Sequence, residues 1–236
     1  MAQGRARRVS AARDVTRADG EYALRILLDP AEAETKRERL LRAAFNVIGE
    51  RGYESTTVAR IAAAAGMAPG LVHYYFESKD DLLVAAADWC SHLFDGALAD
   101  LPGLDDGYEL LRSRIERVQD LVALLPAWYV VRGDFYALAV RLPAMRDQLA
   151  RVEAEARERV AGVIRQALAL IGRDGGEPAR LARFDVDGVA ASLLAAFDGL
   201  AQQAMVDPSF DLPRAYRALA DAYIALLRDS AGASER

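Results

Sequence analysis

Between Gly66 and Leu83 the chain reads GMAPGLVHYYFESKDDLL. Pro69, Gly70, Leu71, His73, Tyr74, Tyr75 and Lys79 gather there the groups that meet a nucleic-acid duplex. A glycine without a Cβ lets backbone approach a surface closely. A leucine suits the methyl of thymine, and an imidazole can contact a base edge. Phenol hydroxyls and an ammonium donate to phosphate oxygens. Upstream, Thr56 and Thr57 add hydroxyls and amides at a helix start, which favours an anion. Val72 and Phe76, four residues apart, share an apolar face and read as core.

The elements that carry these residues are helices. Leu40, Leu41, Ala44, Phe45 and Ile48 recur at three- and four-residue spacing, an amphipathic stripe. Thr35 caps that helix, and Gly52 ends it. A second short helix follows Thr56 and Thr57 through Val58, Ile61 and Ala62 and stops at Gly66. A third begins at Pro69, where a missing N–H costs nothing, and runs to Phe76. Ser78 caps a fourth, whose first turn carries Asp80 and Asp81 as the helix dipole prefers. Two short helices joined by AGMAPG fit a helix-turn-helix, in which the second helix enters the major groove.

The stretch from Lys36 to Val84 resembles the DNA-binding head of the TetR (tetracycline repressor) family. The resemblance rests on LLRAAFNVIGERGYESTTV, IAAAAGMAPG, VHYYF and SKDDLL, in that order. It implies a dimeric repressor that binds palindromic operators and carries a helical ligand domain. By position, Thr57, Pro69, Gly70, Leu71, His73, Tyr74, Tyr75 and Lys79 are the implied DNA contacts, with Thr56 and Ala68 at their edges. Many relatives carry small polar residues where Ala68 and Leu71 stand, and a Tyr where His73 stands. Operator sequence therefore does not carry over.

After Pro102 the long segments also read as helix: Tyr108–Leu125, Ala127–Val140, Ala144–Ile171, Val186–Met205 and Leu212–Leu227. Strand-period alternation is absent. The expected fold is all-α, with about nine helices: a three-helix head at 35–84 and an effector-binding and dimerisation domain at 85–236. Residues 1–34 read as an Arg-rich arm, a solvated tail with minor-groove contact as the alternative. On PAWYVVRGDFYALAV, Trp128, Arg132 and Phe135 share one helical face, and Tyr129 and Tyr136 a neighbouring one. They would suit a hydrophobic or aromatic effector with a polar handle, or simply pack as core. Trp89 and His92 are read as facing inward toward the same pocket. Asp198 and Gln202 sit on a largely apolar helix, facing either a ligand or a dimer seam. The last two long helices resemble the family's dimer bundle.

Composition bounds the rest. The chain has 236 residues, 53% apolar and 28% charged, a globular balance. Net charge is −5, yet residues 36–81 hold seven basic and six acidic side chains, and the acidity lies beyond them. No run approaches about 18 consecutive apolar residues, so no membrane span is expected. The N-terminus lacks the apolar stretch of a secretory signal. One cysteine, Cys90, fits a reducing cytoplasm. Two histidines and one cysteine leave little for a His/Cys metal site. P-loop, dinucleotide and nucleophile-elbow motifs are missing, so neither enzyme chemistry nor a cofactor is expected. The competing reading is a helical small-molecule-binding or interaction protein whose head no longer reads DNA.

Overall fold

Proline and glycine divide the chain, and helices fill the intervals. The computed structural model describes residues 35–99, 104–124, 126–141 and 143–232. The Arg-rich arm lies outside them. The described residues form ten helices. They are α1 (Lys36–Ser55), α2 (Val58–Ala64), α3 (Pro69–Tyr75), α4 (Lys79–Ala99) and α5 (Gly107–Leu124). There follow α6 (Pro126–Ala139), α7 (Pro143–Arg173), α8 (Pro178–Leu181), α9 (Val186–Val206) and α10 (Leu212–Ala231). The short α8 is the helix beyond the expected nine; Pro178 starts it inside what reads as a simple break.

The chain divides into two compact units. The first is the described part of Met1–Leu101 with Leu124–Val152; the second is Pro102–Ala123 with Glu153–Arg236. The boundary expected around residue 84 lies, as placed, within the continuous fourth helix, α4. Helix α6 joins the first unit because it packs against α1 as α2 and α4 do. Phe45 of α1 stacks with Trp128 of α6, centroids 6.0 Å apart.

In the first unit, α1 opens with a capping box. Thr35 Oγ1 accepts from the Glu38 amide at 3.1 Å, and Glu38 Oε2 accepts from the Thr35 amide at 2.9 Å. Its predicted stripe, Leu40, Leu41, Ala44, Phe45 and Ile48, is buried. Gly52 does not end the helix outright. It breaks it, at φ 72°, before a last short turn to Ser55. Cys90 of α4 is buried, which pushes its thiol pKa up well above the ordinary value, against the opposing charge of Arg132.

In the second unit, α5 and α7 meet through Leu110, Ala167 and Leu170, with Leu104 packed against them. Gly107 permits the approach, because a Cβ there would fall 2.2 Å from the Ala167 carbonyl oxygen. Helix α9 packs on α10, burying Ala190, Leu193, Phe197 and Ala201. From α10 come Leu212, Tyr216, Ala220, Ile224 and Leu227. Phe197 and Tyr216 stack at 5.8 Å, nearly parallel. By length and composition, α9 is apolar enough to cross a membrane, and its own chain buries little of it. Asp187, Ser192, Asp198, Gln202 and Gln203 interrupt it.

Candidate nucleic-acid interface

Helix α2 starts at Thr57, whose Oγ1 accepts from the Arg60 amide at 3.3 Å. It closes in a Schellman pattern. The Gly66 amide donates to Ala63 O at 3.1 Å and the Met67 amide to Ala62 O at 2.8 Å, with Gly66 at φ 66°. Arg39 of α1 donates to Ala65 O at 3.0 Å and ties the turn to the head. Ala68 then leads into α3 without a side-chain cap, and Pro69 occupies the first turn.

One side of α3 is anchored and the other is open. Val72 and Phe76 are buried with Ile61 and Leu40. Pro69, Gly70, His73 and Tyr74 are exposed, while Leu71 and Tyr75 are half-buried. Tyr74 is 79% exposed, and its ring meets the edge of Tyr75 at 4.9 Å. A Cβ built on Gly70 would find nothing of this chain within 4 Å. The glycine thus answers no packing demand of its own fold.

Thr56 and Lys79 are placed differently from the other candidates. Thr56 is buried, and its hydroxyl donates to Gly52 O at 2.8 Å. This corrects the reading of its hydroxyl as an anion contact: the group is spent on closing the break in α1. Lys79 is half-buried; its ammonium donates to Tyr53 O at 3.2 Å and lies 3.7 Å from the Tyr53 ring centroid. The Tyr53 hydroxyl donates to Asp80 Oδ1 at 2.7 Å, and the Tyr53 amide to Asp134 Oδ2 at 3.1 Å. Burial first, then the bond to Asp80 and its charge, push the Tyr53 pKa up to about 12. Sequence reading missed Tyr53 and Asp134. The glycine-tyrosine pair in GERGY was the available signal for the first.

Of the effector candidates in the first unit, Trp128, Tyr129, Arg132 and Phe135 are buried and Trp89 is half-buried. The Arg132 guanidinium lies between two rings, 5.6 Å from the Trp128 centroid and 5.5 Å from that of Tyr136. It also donates to the Tyr136 hydroxyl at 3.4 Å. Arg42 lies 5.9 Å from the Trp89 centroid. His92 does not face inward. Its side chain is 62% exposed, 3.8 Å from Asp88 one turn before it, because the buried positions of α4 fall on Cys90 and Ser91. In the second unit, Asp198 is half-buried and Gln202 exposed.

A capped helix, a glycine turn and a short proline-led helix with a bare outer face define a helix-turn-helix protein of all-α build. Residues 40–86 match bacterial regulatory proteins, tetR family, and residues 108–229 match the BetI-type transcriptional repressor, C-terminal. The chain belongs to the tetR family of bacterial regulatory proteins, with a BetI-type C-terminal region. It is 39% identical over 83 residues to the HTH-type transcriptional regulator BetI of Brucella anthropi, covering 35% of this chain and 41% of that one. It spans about half or less of the length of the curated relatives it matches. A putative TetR-family transcriptional regulator from Rhodococcus sp. shares the fold at a TM-score of 0.70 and 23% identity, over 81% of this chain and 98% of that one. A putative transcriptional regulator from Saccharomonospora viridis, in complex with choline, matches at 0.60 and 25% identity, over 78% and 93%.

Proposed function

We propose that the chain is a ligand-responsive, dimeric transcriptional repressor that a small-molecule effector releases from a palindromic operator. The carrying observation is α3. Its apolar side is buried in the head, while Pro69, Gly70, His73 and Tyr74 stand exposed and no packing need accounts for Gly70. Leu71, Tyr75, Thr57 and Lys79 complete the proposed contact set. Two such heads dock about 34–36 Å apart, one turn of duplex. An effector lowers operator affinity by binding unequally to states that differ in head separation. Helix α4, which leaves the head without interruption, is the lever.

The pairing surface is α9 with α10. Beyond the exposed Asp187 of its first turn, α9 presents small or uncharged residues outward: Ala191, Ala195, Gln202 and Val206 are exposed. On α10, Ala218, Ala222, Ala225 and Leu226 are exposed at helical spacing. An apolar helix left largely uncovered by its own chain supports a partner of the same kind. Asp198 and Gln202 then border that seam. The reducing cytoplasm suits both the operator and the buried Cys90.

For the effector, the aromatic set on α6 supports a hydrophobic or aromatic molecule with a polar handle. Choline is the first compound to try, because a similar protein holds it.

The test is unbiased selection of duplexes by the purified protein, followed by titration over a salt series. A shared palindromic sequence, bound far above random DNA and weakened by an effector, is the expected result. Salt-sensitive binding without sequence preference would overturn the reading.

A further inference from the structure

We infer that Asp134 of α6 is a positioning residue for the DNA-reading helices, making α6 a second lever beside α4. The inference rests on the joint where α1 gives way to α2. Gly52 takes a left-handed conformation there, which removes the Tyr53 amide from the helical ladder. A backbone donor left in that position needs an acceptor, and Asp134 Oδ2 supplies it from 81 residues away. The same carboxylate oxygen would stand 3.7 Å from a Cβ on Gly52, so it fits closely over the break. The joint's other polar groups are tied as well. Thr56 holds Gly52 O, Lys79 holds Tyr53 O and Asp80 holds the Tyr53 hydroxyl.

Residues 52–56 are therefore pinned by two outside elements, α4 through Lys79 and Asp80, and α6 through Asp134. Helix α2 starts two residues beyond this joint, and α3 packs on α2. Helix α6 also carries Trp128, Arg132 and Phe135, the buried aromatic and cationic set. A shift of α6 along its axis moves Asp134 and with it the seat of α2 and α3. This goes beyond the proposed function, in which α4 alone transmits the effector signal, and it does not need an operator to be tested.

The experiment is amide hydrogen exchange on the full-length protein, comparing wild type with Asp134→Ala, Asp134→Asn and the control Val130→Ala on the same helix. Losing a hydrogen bond to a charged group should speed Tyr53 exchange roughly ten- to hundredfold. The increase should spread through Val58–Phe76, while the thermal midpoint stays close to wild type. Asp134→Asn keeps an acceptor oxygen and should restore most of the protection, and Val130→Ala should change nothing. Unchanged exchange at Tyr53 overturns the inference. So does a change confined to Tyr53, or one spread evenly over the chain with a fallen midpoint, which marks a purely structural role. If Asp134→Ala fails to fold, Asp134→Ser, too short to reach the Tyr53 amide, decides: faster exchange at Tyr53 that spreads through Val58–Phe76 supports the inference, and faster exchange without that spread, or wild-type exchange throughout, overturns it. Failure of every duplex to bind wild type would strike the repressor reading and leave these outcomes standing.

Discussion

The Tyr53 phenol donates to Asp80 Oδ1 at 2.7 Å while Lys79, next to Asp80, lies over the Tyr53 ring. One tyrosine thus joins the break in α1 to the first turn of α4. Its phenol pKa is raised from 10.0 to about 12, so the fold prefers the neutral form. That preference stabilises the head fully below about pH 10 and is lost as pH rises through about 12. Urea unfolding across this window should show wild type losing stability faster than Tyr53→Phe. Parallel pH curves for the two proteins would show that the fold does not hold the phenol neutral.

Gly70→Ala separates reading DNA from folding. Replacing a helical glycine with alanine in open space should leave stability unchanged or raise it by about 0.5–1 kcal/mol. Binding to the selected duplex should fall, because the added methyl stands on the face that approaches the groove. Thermal melts and fluorescence-anisotropy titration check the two halves. Unaltered affinity would show that the duplex does not come near Gly70.

His73 and Tyr74 should fail in different ways. If the imidazole touches a base edge, His73→Ala changes the ranking of duplexes by about 1–3 kcal/mol at one position. If the phenol hydroxyl holds a phosphate, Tyr74→Phe weakens all duplexes alike. Repeating the selection with each variant distinguishes them.

Gly107→Ala should damage the second unit. The new methyl would press on a backbone oxygen of α7 at 2.2 Å, with no flexible side chain to yield. Overpacking of this kind costs about 1–3 kcal/mol. The midpoint of thermal unfolding should fall, and Gly133→Ala, which meets nothing within 4 Å, serves as the control.

Ala222→Arg tests the pairing surface. Ala222 is exposed in the single chain, so the substitution leaves its fold intact. In a pair it would bury an unmatched charge near the seam, which is strongly unfavourable. Sedimentation should show wild type as two chains and the variant as one. A variant that remains paired would move the interface elsewhere.

Helix ends are readable because they are local. Thr35 and Ser78 cap the helices they precede, Ser78 Oγ accepting from the Asp81 amide at 3.0 Å. Pro69, Pro126 and Pro143 open helices, as a residue without an N–H should. The buried and bare sides of α3 follow from the spacing of Val72 and Phe76. The fate of Thr56 and Lys79 is not readable, since it depends on a break at Gly52 that sequence treats as a terminus. Asp134 is further out of reach, its partner lying 81 residues earlier. His92 misleads because helical periodicity leaves one residue of phase open, and the burial of Cys90 and Ser91 settles it. The return of α6 to α1 escapes for the same reason as Asp134: no local pattern encodes that packing.

The buried Cys90 has a practical corollary. It is the chain's sole cysteine, it is 1% exposed, and its thiol resists ionisation. Maleimide dyes should pass it by. A single thiol engineered onto the outer surface of each head would then be the lone attachment point, and energy transfer between two dyes could follow the heads as an effector is added.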